Sequence, residues 1–253
     1  MPAGVKKWTL RIVVTIMFII ALLVGIVLKP TLLYAHSTVD GNYTICHQKD
    51  LDTSFVRQLR SANDLLRSSE LYDSTLKLTV CLDDGSCYPV LMGKIRGAAF
   101  GWGFAHQVVL GCAVKSGDNY GEINGYKWNL TELLAHEAIH CLQFHHYGFA
   151  HSGFFGNKQE VWKWEGYPEY IARKHKADLC NNITRLLVAQ KSESDKWIYF
   201  DDSTGTVIPY YHAWLLVQFC MDVRKMSFDQ LLDDTTNERT VNDQMMAWYA
   251  GPY

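Results

Sequence analysis

The chain has 253 residues, room for one sizeable domain, and balances 24 Lys+Arg against 26 Asp+Glu with 48% hydrophobic residues. This near-neutral balance, without a basic run, excludes the electrostatic footprint of a nucleic-acid binder, so no nucleic-acid partner is expected. Seven cysteines suit an oxidising compartment better than a reduced cytosol, and the odd number leaves at least one unpaired within the chain.

Residues 12–28, IVVTIMFIIALLVGIVL, carry no charge. About 17–25 apolar residues cross a bilayer core, so the run predicts a transmembrane helix. Lys6, Lys7 and Arg11 precede it and only Lys29 follows closely. The positive-inside rule then places residues 1–11 in the cytoplasm and everything after Pro30 on the extracytoplasmic side. The run exceeds the roughly 7–15-residue core of a signal peptide, which favours an uncleaved signal anchor. Cleavage near Ala35, giving a secreted protein, is the alternative. Residues 29–50 form a juxtamembrane segment with a turn at Gly41-Asn42, and residues 51–253 read as one domain because no linker divides them.

Within that domain, Leu51, Phe55, Leu59, Leu65 and Leu66 recur at helical spacing and predict an amphipathic helix over 51–72. Residues 75–82, TLKLTVCL, alternate like a half-buried strand and run into an Asp84-Gly85 turn. A second strand over 88–92 would follow, with a Cys81–Cys87 disulfide closing the hairpin. Residues 97–114 are punctuated by glycine and read as a loop entering a strand at Val108-Val109-Leu110. The strongest helix spans 131–146, capped by Asn129 or Thr131 with Glu132 in its first turn. A Gly-rich loop (Gly148, Gly153, Gly156) separates it from a helix over 161–178. A short strand at 206–208 and a helix over 210–224, carrying Trp214, Leu215, Val217 and Phe219, complete the pattern. Asn42, Asn129 and Asn182 head Asn-x-Thr sequons, which matter only in a eukaryotic secretory pathway.

The helix over 131–146 contains His136-Glu137-Ala138-Ile139-His140. Two histidines four apart lie on one helix face, one turn apart, so both imidazoles can reach one metal ion. Glu137 follows the first and can face an open coordination position as a general base, while zinc polarises a carbonyl and activates water. Such a site needs a third protein ligand. His146 has the spacing of a metzincin, but Gln143 stands where the turn-making glycine belongs, and a continuing helix carries His146 away. Glu165, in Trp164-Glu165-Gly166-Tyr167-Pro168-Glu169-Tyr170, is the other candidate.

His-Glu-x-x-His followed by Trp-x-Glu-Gly-x-x-Glu-Tyr resembles the gluzincin branch of zinc peptidases, the peptidase-MA-like group. The resemblance implies Glu165 as third ligand to one Zn2+ and Glu169 as the carboxylate orienting the first zinc histidine. Ile208-Pro209-Tyr210-Tyr211-His212-Ala213 is similar to the segment that supplies an oxyanion-binding tyrosine, which falls on Tyr210 with Tyr211 in reserve. It also makes residues 100–110 the rim of the cleft, with Trp102 and Phe104 lining it, in a position to pair with extended substrate. Two departures stand out. Pro168 sits where a helix-former is usual, so the helix must begin or bend there. No Gly-x-Met-Glu-Asn segment for a substrate's free amine is present. The expected fold is α+β and zincin-like: a small twisted sheet on the motif helix, then a mainly helical half, all preceded by one transmembrane helix. The expected activity is zinc-dependent hydrolysis of peptide or protein substrates at the membrane. The alternatives are a non-catalytic zinc-binding or peptide-binding ectodomain and a hydrolase of non-peptide amides.

Overall fold

In the computed structural model, which describes residues 3–148, 161–192 and 196–251, alternating strands build a mixed five-stranded sheet. Its members are β1 (His36–Asp40), β2 (Tyr43–His47), β3 (Leu78–Cys81), β4 (Gly101–Phe104) and β5 (Gln107–Leu110), in spatial order β1-β2-β3-β5-β4. The inner strands β2, β3 and β5 run parallel, and the edges β1 and β4 run antiparallel to their neighbours. Successive side chains point to opposite faces. Ile45, Val80 and Val108 enter the main core, whereas Cys46, Cys81 and Val109 enter a second cluster behind the sheet. The strand over 75–82 is therefore shorter than its alternation suggests and is covered on both faces.

The main face receives α2 (Thr53–Leu66) and α4 (Leu130–Tyr147). Asp52 starts α2 by accepting from the Ser54 N–H, and Asn129 starts α4 by accepting from the Glu132 N–H. These caps satisfy amides that have no partner inside the helix. The other face is covered by α3 (Cys87–Arg96), where a strand over 88–92 was expected. Ser86 accepts from the Tyr88 N–H and sets a helix start, and Tyr88 and Met92, one turn apart, bury one face. The hairpin is thus absent. Cys87 is exposed at the start of α3 while Cys81 points into the second cluster beside its register partner Cys46, so the Cys81–Cys87 pairing is not made.

A three-stranded meander follows, β6 (Ala113–Lys115), β7 (Tyr120–Ile123) and β8 (Tyr126–Asn129), and leads into α4. The Gly153 and Gly156 part of the predicted loop lies outside the described residues. The remainder is mainly helical: α5 (Val161–Ala172), α6 (Leu179–Gln190), α7 (Ile208–Gln218), α8 (Phe228–Asp233) and α9 (Glu238–Ala250), with a hairpin of β9 (Trp197–Tyr199) and β10 (Gly205–Val207) before α7. The helix predicted over 161–178 ends at Ala172, and a separate α6 follows, capped by Asp178. The one predicted over 210–224 starts at Ile208 and passes into a wider π turn over Phe219–Val223. The architecture is α+β, with one apolar N-terminal helix, α1 (Ala3–Leu28).

Over Leu10–Leu28, α1 has a mean hydropathy of 2.9 and no buried residue, the profile of a membrane span or signal sequence. Its last turn, however, is built into the domain. Gln107 Nε2 donates to the Val27 and Leu28 carbonyls at 3.0 and 3.3 Å, and the Tyr88 hydroxyl donates to Gln107 Oε1 at 2.6 Å. Buried side chains thereby satisfy carbonyls that a helix end leaves open.

Candidate metal centre

The helix α4 carries His136 and His140 one turn apart on its cleft side, while α5 brings Glu165 across from them. The two Nε2 atoms lie 3.1 Å apart, and Glu165 Oε2 is 3.5 Å from His136 Nε2 and 3.4 Å from His140 Nε2. Together the three residues form a group that could hold one metal ion. His146, the competing third ligand, is carried on by the unbroken α4 to its last turn, where it packs on Tyr147.

The outer nitrogen of each imidazole is committed. His136 Nδ1 is 3.1 Å from Glu169 Oε1, and His140 Nδ1 donates to Gln143 Oε1 at 2.9 Å. A proton on Nδ1 leaves the Nε2 lone pair free. In that tautomer two such lone pairs and a carboxylate oxygen converge on one point. This is repulsive unless a cation occupies the point. The metal-free electrostatics agree. Burial works against a charged His136, but Glu165 and Glu169 outweigh it and raise its pKa from 6.5 to about 10. Burial likewise opposes the charged form of Glu165, yet the two histidines hold its carboxyl well below the usual range.

Gln143 and Pro168 form one device. Pro168 lies within α5 and has no N–H to donate to the carbonyl four residues earlier, that of Trp164. Gln143 Nε2 donates to that carbonyl at 3.1 Å, which turns its Oε1 towards His140. The helix does not begin at the proline but runs through it from Val161, and a side chain from α4 replaces the missing bond.

Glu169 continues into a row of buried charge. Its Oε2 is 2.9 Å from Arg173 Nη1, which donates to Glu132 Oε2 at 3.0 Å, and Glu132 Oε1 pairs with Lys176 at 2.5 Å. The Arg173 guanidinium sits 5.1–5.9 Å from the rings of Phe200, Trp128 and Trp214. Burial alone would raise the Glu132 carboxyl, but Arg173, His175 and Lys176 outweigh it and hold it low.

Glu137 is 6% exposed and faces a cleft of about 320 Å³ lined also by Arg96, Phe100, Trp128, His136, His140 and Tyr210. Burial raises its carboxyl against the pull of His136 and His140, and the Gly103 N–H bonds to it. The edge strand β4 can lie this close only without side chains. A Cβ on Gly101 would come 2.9 Å from Glu137 Cγ, and one on Gly103 would come 2.0 Å from the Glu137 carbonyl. Similarly, a Cβ on Gly166 would meet the Ala213 carbonyl at 2.4 Å, so the residue after Glu165 lets α5 press onto α7.

That contact brings Tyr210 to the cleft, its ring 5.9 Å from the His136 ring at 27°. Glu165's charge, with burial second, pushes the Tyr210 hydroxyl well above the ordinary phenol value. Tyr211 points the other way, fully buried, with its hydroxyl 3.1 Å from Asn182 Oδ1. It has no place in the cleft, and Asn182, 7% exposed and bonded to the Lys176 carbonyl, is closed to glycosylation in the folded chain. Trp102 packs its ring edge over Gly93 of α3, and Phe104 faces the same side. A larger cavity, about 1020 Å³, borders α9 and shares no residue with this centre. Comparison with protein families, curated proteins and solved structures found no match.

Proposed function

We propose that the protein is a zinc-dependent peptidase of the gluzincin type, held in the membrane by α1 with its catalytic domain on the extracytoplasmic side. The observation that carries this reading is the convergence of the two imidazole Nε2 atoms and the Glu165 carboxylate. The two histidine-to-carboxylate separations, 3.5 and 3.4 Å, match the edge of about 3.3–3.6 Å expected for donors about 2.0–2.2 Å from a tetrahedral zinc ion, and the two imidazole nitrogens, 3.1 Å apart, lie slightly closer than that. Zinc bound there would act as a Lewis acid, polarising the substrate carbonyl and acidifying a water.

The chain's own residues supply the rest. Glu137, raised by burial and oriented by the Gly103 N–H, accepts the proton of the attacking water and passes it to the leaving amine. Tyr210 keeps its proton at neutral pH and can donate a hydrogen bond to the developing oxyanion. Among the described residues β4 is an edge strand of the sheet, and its outer side can pair with an extended peptide. Retention of α1 as an anchor is supported by Gln107, a buried side chain whose amide would lose the Val27 and Leu28 carbonyls if the chain were cut near Ala35 and α1 released.

Glu137→Gln should keep stoichiometric zinc and lose about a thousandfold or more in peptide-library cleavage, since it removes the base and leaves the ligands. Activity retained in that variant would refute the mechanism. Stoichiometric zinc in the wild type with no peptide cleaved would leave a non-catalytic binding domain.

A further inference from the structure

A second cavity, about 400 Å³, adjoins the metal cleft and has mainly apolar walls. Val24, Val27 and Leu28 from the end of α1 form one side, and Met92, Ile95 and Phe104 form much of the other. Arg96, Gly103 and His140 border both cavities, so the apolar space opens directly onto the metal centre. Its size lies in the lower part of the roughly 300–1,000 Å³ range of ligand pockets.

The α1 wall is fixed in place. Besides the bonds from Gln107, the Leu33 carbonyl accepts from Ser86 Oγ at 3.0 Å and from Gln48 Nε2 at 2.9 Å. The Tyr34 hydroxyl donates to the Leu82 carbonyl at 2.9 Å. If Leu10–Leu28 crosses the bilayer, Val24 to Leu28 is its final turn, about 6 Å of helix at the edge of the hydrocarbon. The cavity then lies at the membrane surface, and the metal ligand His140 lies beside it.

We infer that this cavity binds an apolar side chain of a peptide as it leaves the bilayer, so that the substrates are membrane-embedded peptides cut next to their span. The cleavage half of this statement rests on the peptidase reading; the binding half does not. A peptide fits better than a lipid for an electrostatic reason. The charge of Arg96 at the shared mouth is already offset by Glu137 and Glu165, so a phosphate headgroup meets no uncompensated cation there, and a neutral peptide backbone needs none. The edge of β4 runs along the same mouth and supplies backbone hydrogen-bonding groups. Ile95 is 56% exposed, so its replacement tests the cavity without opening the core.

The test uses the full chain carrying Glu137→Gln, reconstituted in phosphatidylcholine vesicles, with zinc content measured on every sample. Three fluorophore-labelled peptides serve as probes: a Leu/Ala span followed by Phe-Leu, the same span followed by Ser-Asn, and the Phe-Leu segment without a span. The spanning Phe-Leu peptide should bind about tenfold or more tightly than either of the others, the effect of burying one large apolar side chain. Adding Ile95→Glu should abolish most of that preference with zinc content unchanged. Equal binding of the Phe-Leu and Ser-Asn spans, or a preference untouched by Ile95→Glu, overturns the inference. So does a stoichiometric phospholipid seen by native mass spectrometry and lost on Ile95→Glu. An intact binding preference in a wild type that cleaves nothing supports the cavity and refutes the peptidase reading instead.

Discussion

His136 and His140 of α4 are alike in chemistry and one turn apart, yet opposite means hold them. His140, at 18% side-chain exposure, is oriented by the neutral amide of Gln143. His136, at 4%, is oriented by Glu169 at the head of a row of buried charges that runs through Arg173 and Glu132 to Lys176. Near the cleft a dipole suffices to choose the tautomer. At depth a carboxylate does more, because it adds negative charge to a site meant for a cation. It also needs a counter-charge of its own, since a carboxylate in low dielectric without one is expensive. Hence the deeper histidine is tied to the stability of the helical half, and the shallower one is not.

The largest effect should come from Arg173→Met, which leaves Glu169 and Glu132 facing each other without the guanidinium between them. A loss of about 3–5 kcal/mol in chemical denaturation is expected for breaking a buried charge network from one side. The wild type should show the linked acid response. Because Glu132 is held below its unfolded value, the stability it contributes is present above about pH 4–5 and disappears as pH falls through the folded value. Arg173→Met should flatten that slope. A variant as stable as wild type would show that the row contributes nothing.

Glu169→Gln should act on the metal rather than on the fold, lowering zinc affinity about 10–100-fold. It should also change the protons exchanged. With its pKa at about 10, His136 holds a proton at neutral pH that an incoming cation displaces, so affinity should fall as pH falls. Calorimetry in buffers of different ionisation enthalpy should find about one proton released by the wild type and fewer by Glu169→Gln. Equal proton counts would separate Glu169 from the basicity of His136. Smallest of the three, Gln143→Leu should cost zinc affinity about tenfold with no change in proton release, because only orientation is lost. A shift in its proton count would erase the distinction between the two supports.

The pattern of the sequence made some of this legible and hid the rest for definite reasons. His136 and His140 were readable as a pair because helical periodicity alone puts them on one face, and Glu137 because it follows the first of them. Glu165 and Glu169 lie beside His136 and Tyr210 lines the same cleft, but nothing local in the sequence distinguishes Tyr210 from Tyr211; the packing of Gly166 against Ala213 turns one to the cleft and leaves the other in the core. Gln143 could be read only as a missing glycine, since its partner Trp164 becomes available through a proline on another helix. Arg173 and Glu132 look like surface charges until α5 and α4 dock. The segment 87–96 misled because Ser86 caps a helix at the point where an Asp-Gly turn suggested a hairpin.

Pro168 has a consequence for anyone wishing to improve this protein. Judged by propensity, it is a flaw of about 3 kcal/mol in the middle of a helix, and Pro168→Ala is the first substitution a stabilisation scheme would choose. The repaired helix would bond its own Trp164 carbonyl, and Gln143 would lose the anchor that points it at His140. Thermal midpoint and zinc affinity should therefore move in opposite directions in that one variant. What a propensity scale scores as a defect is here an instruction passed from one helix to the next.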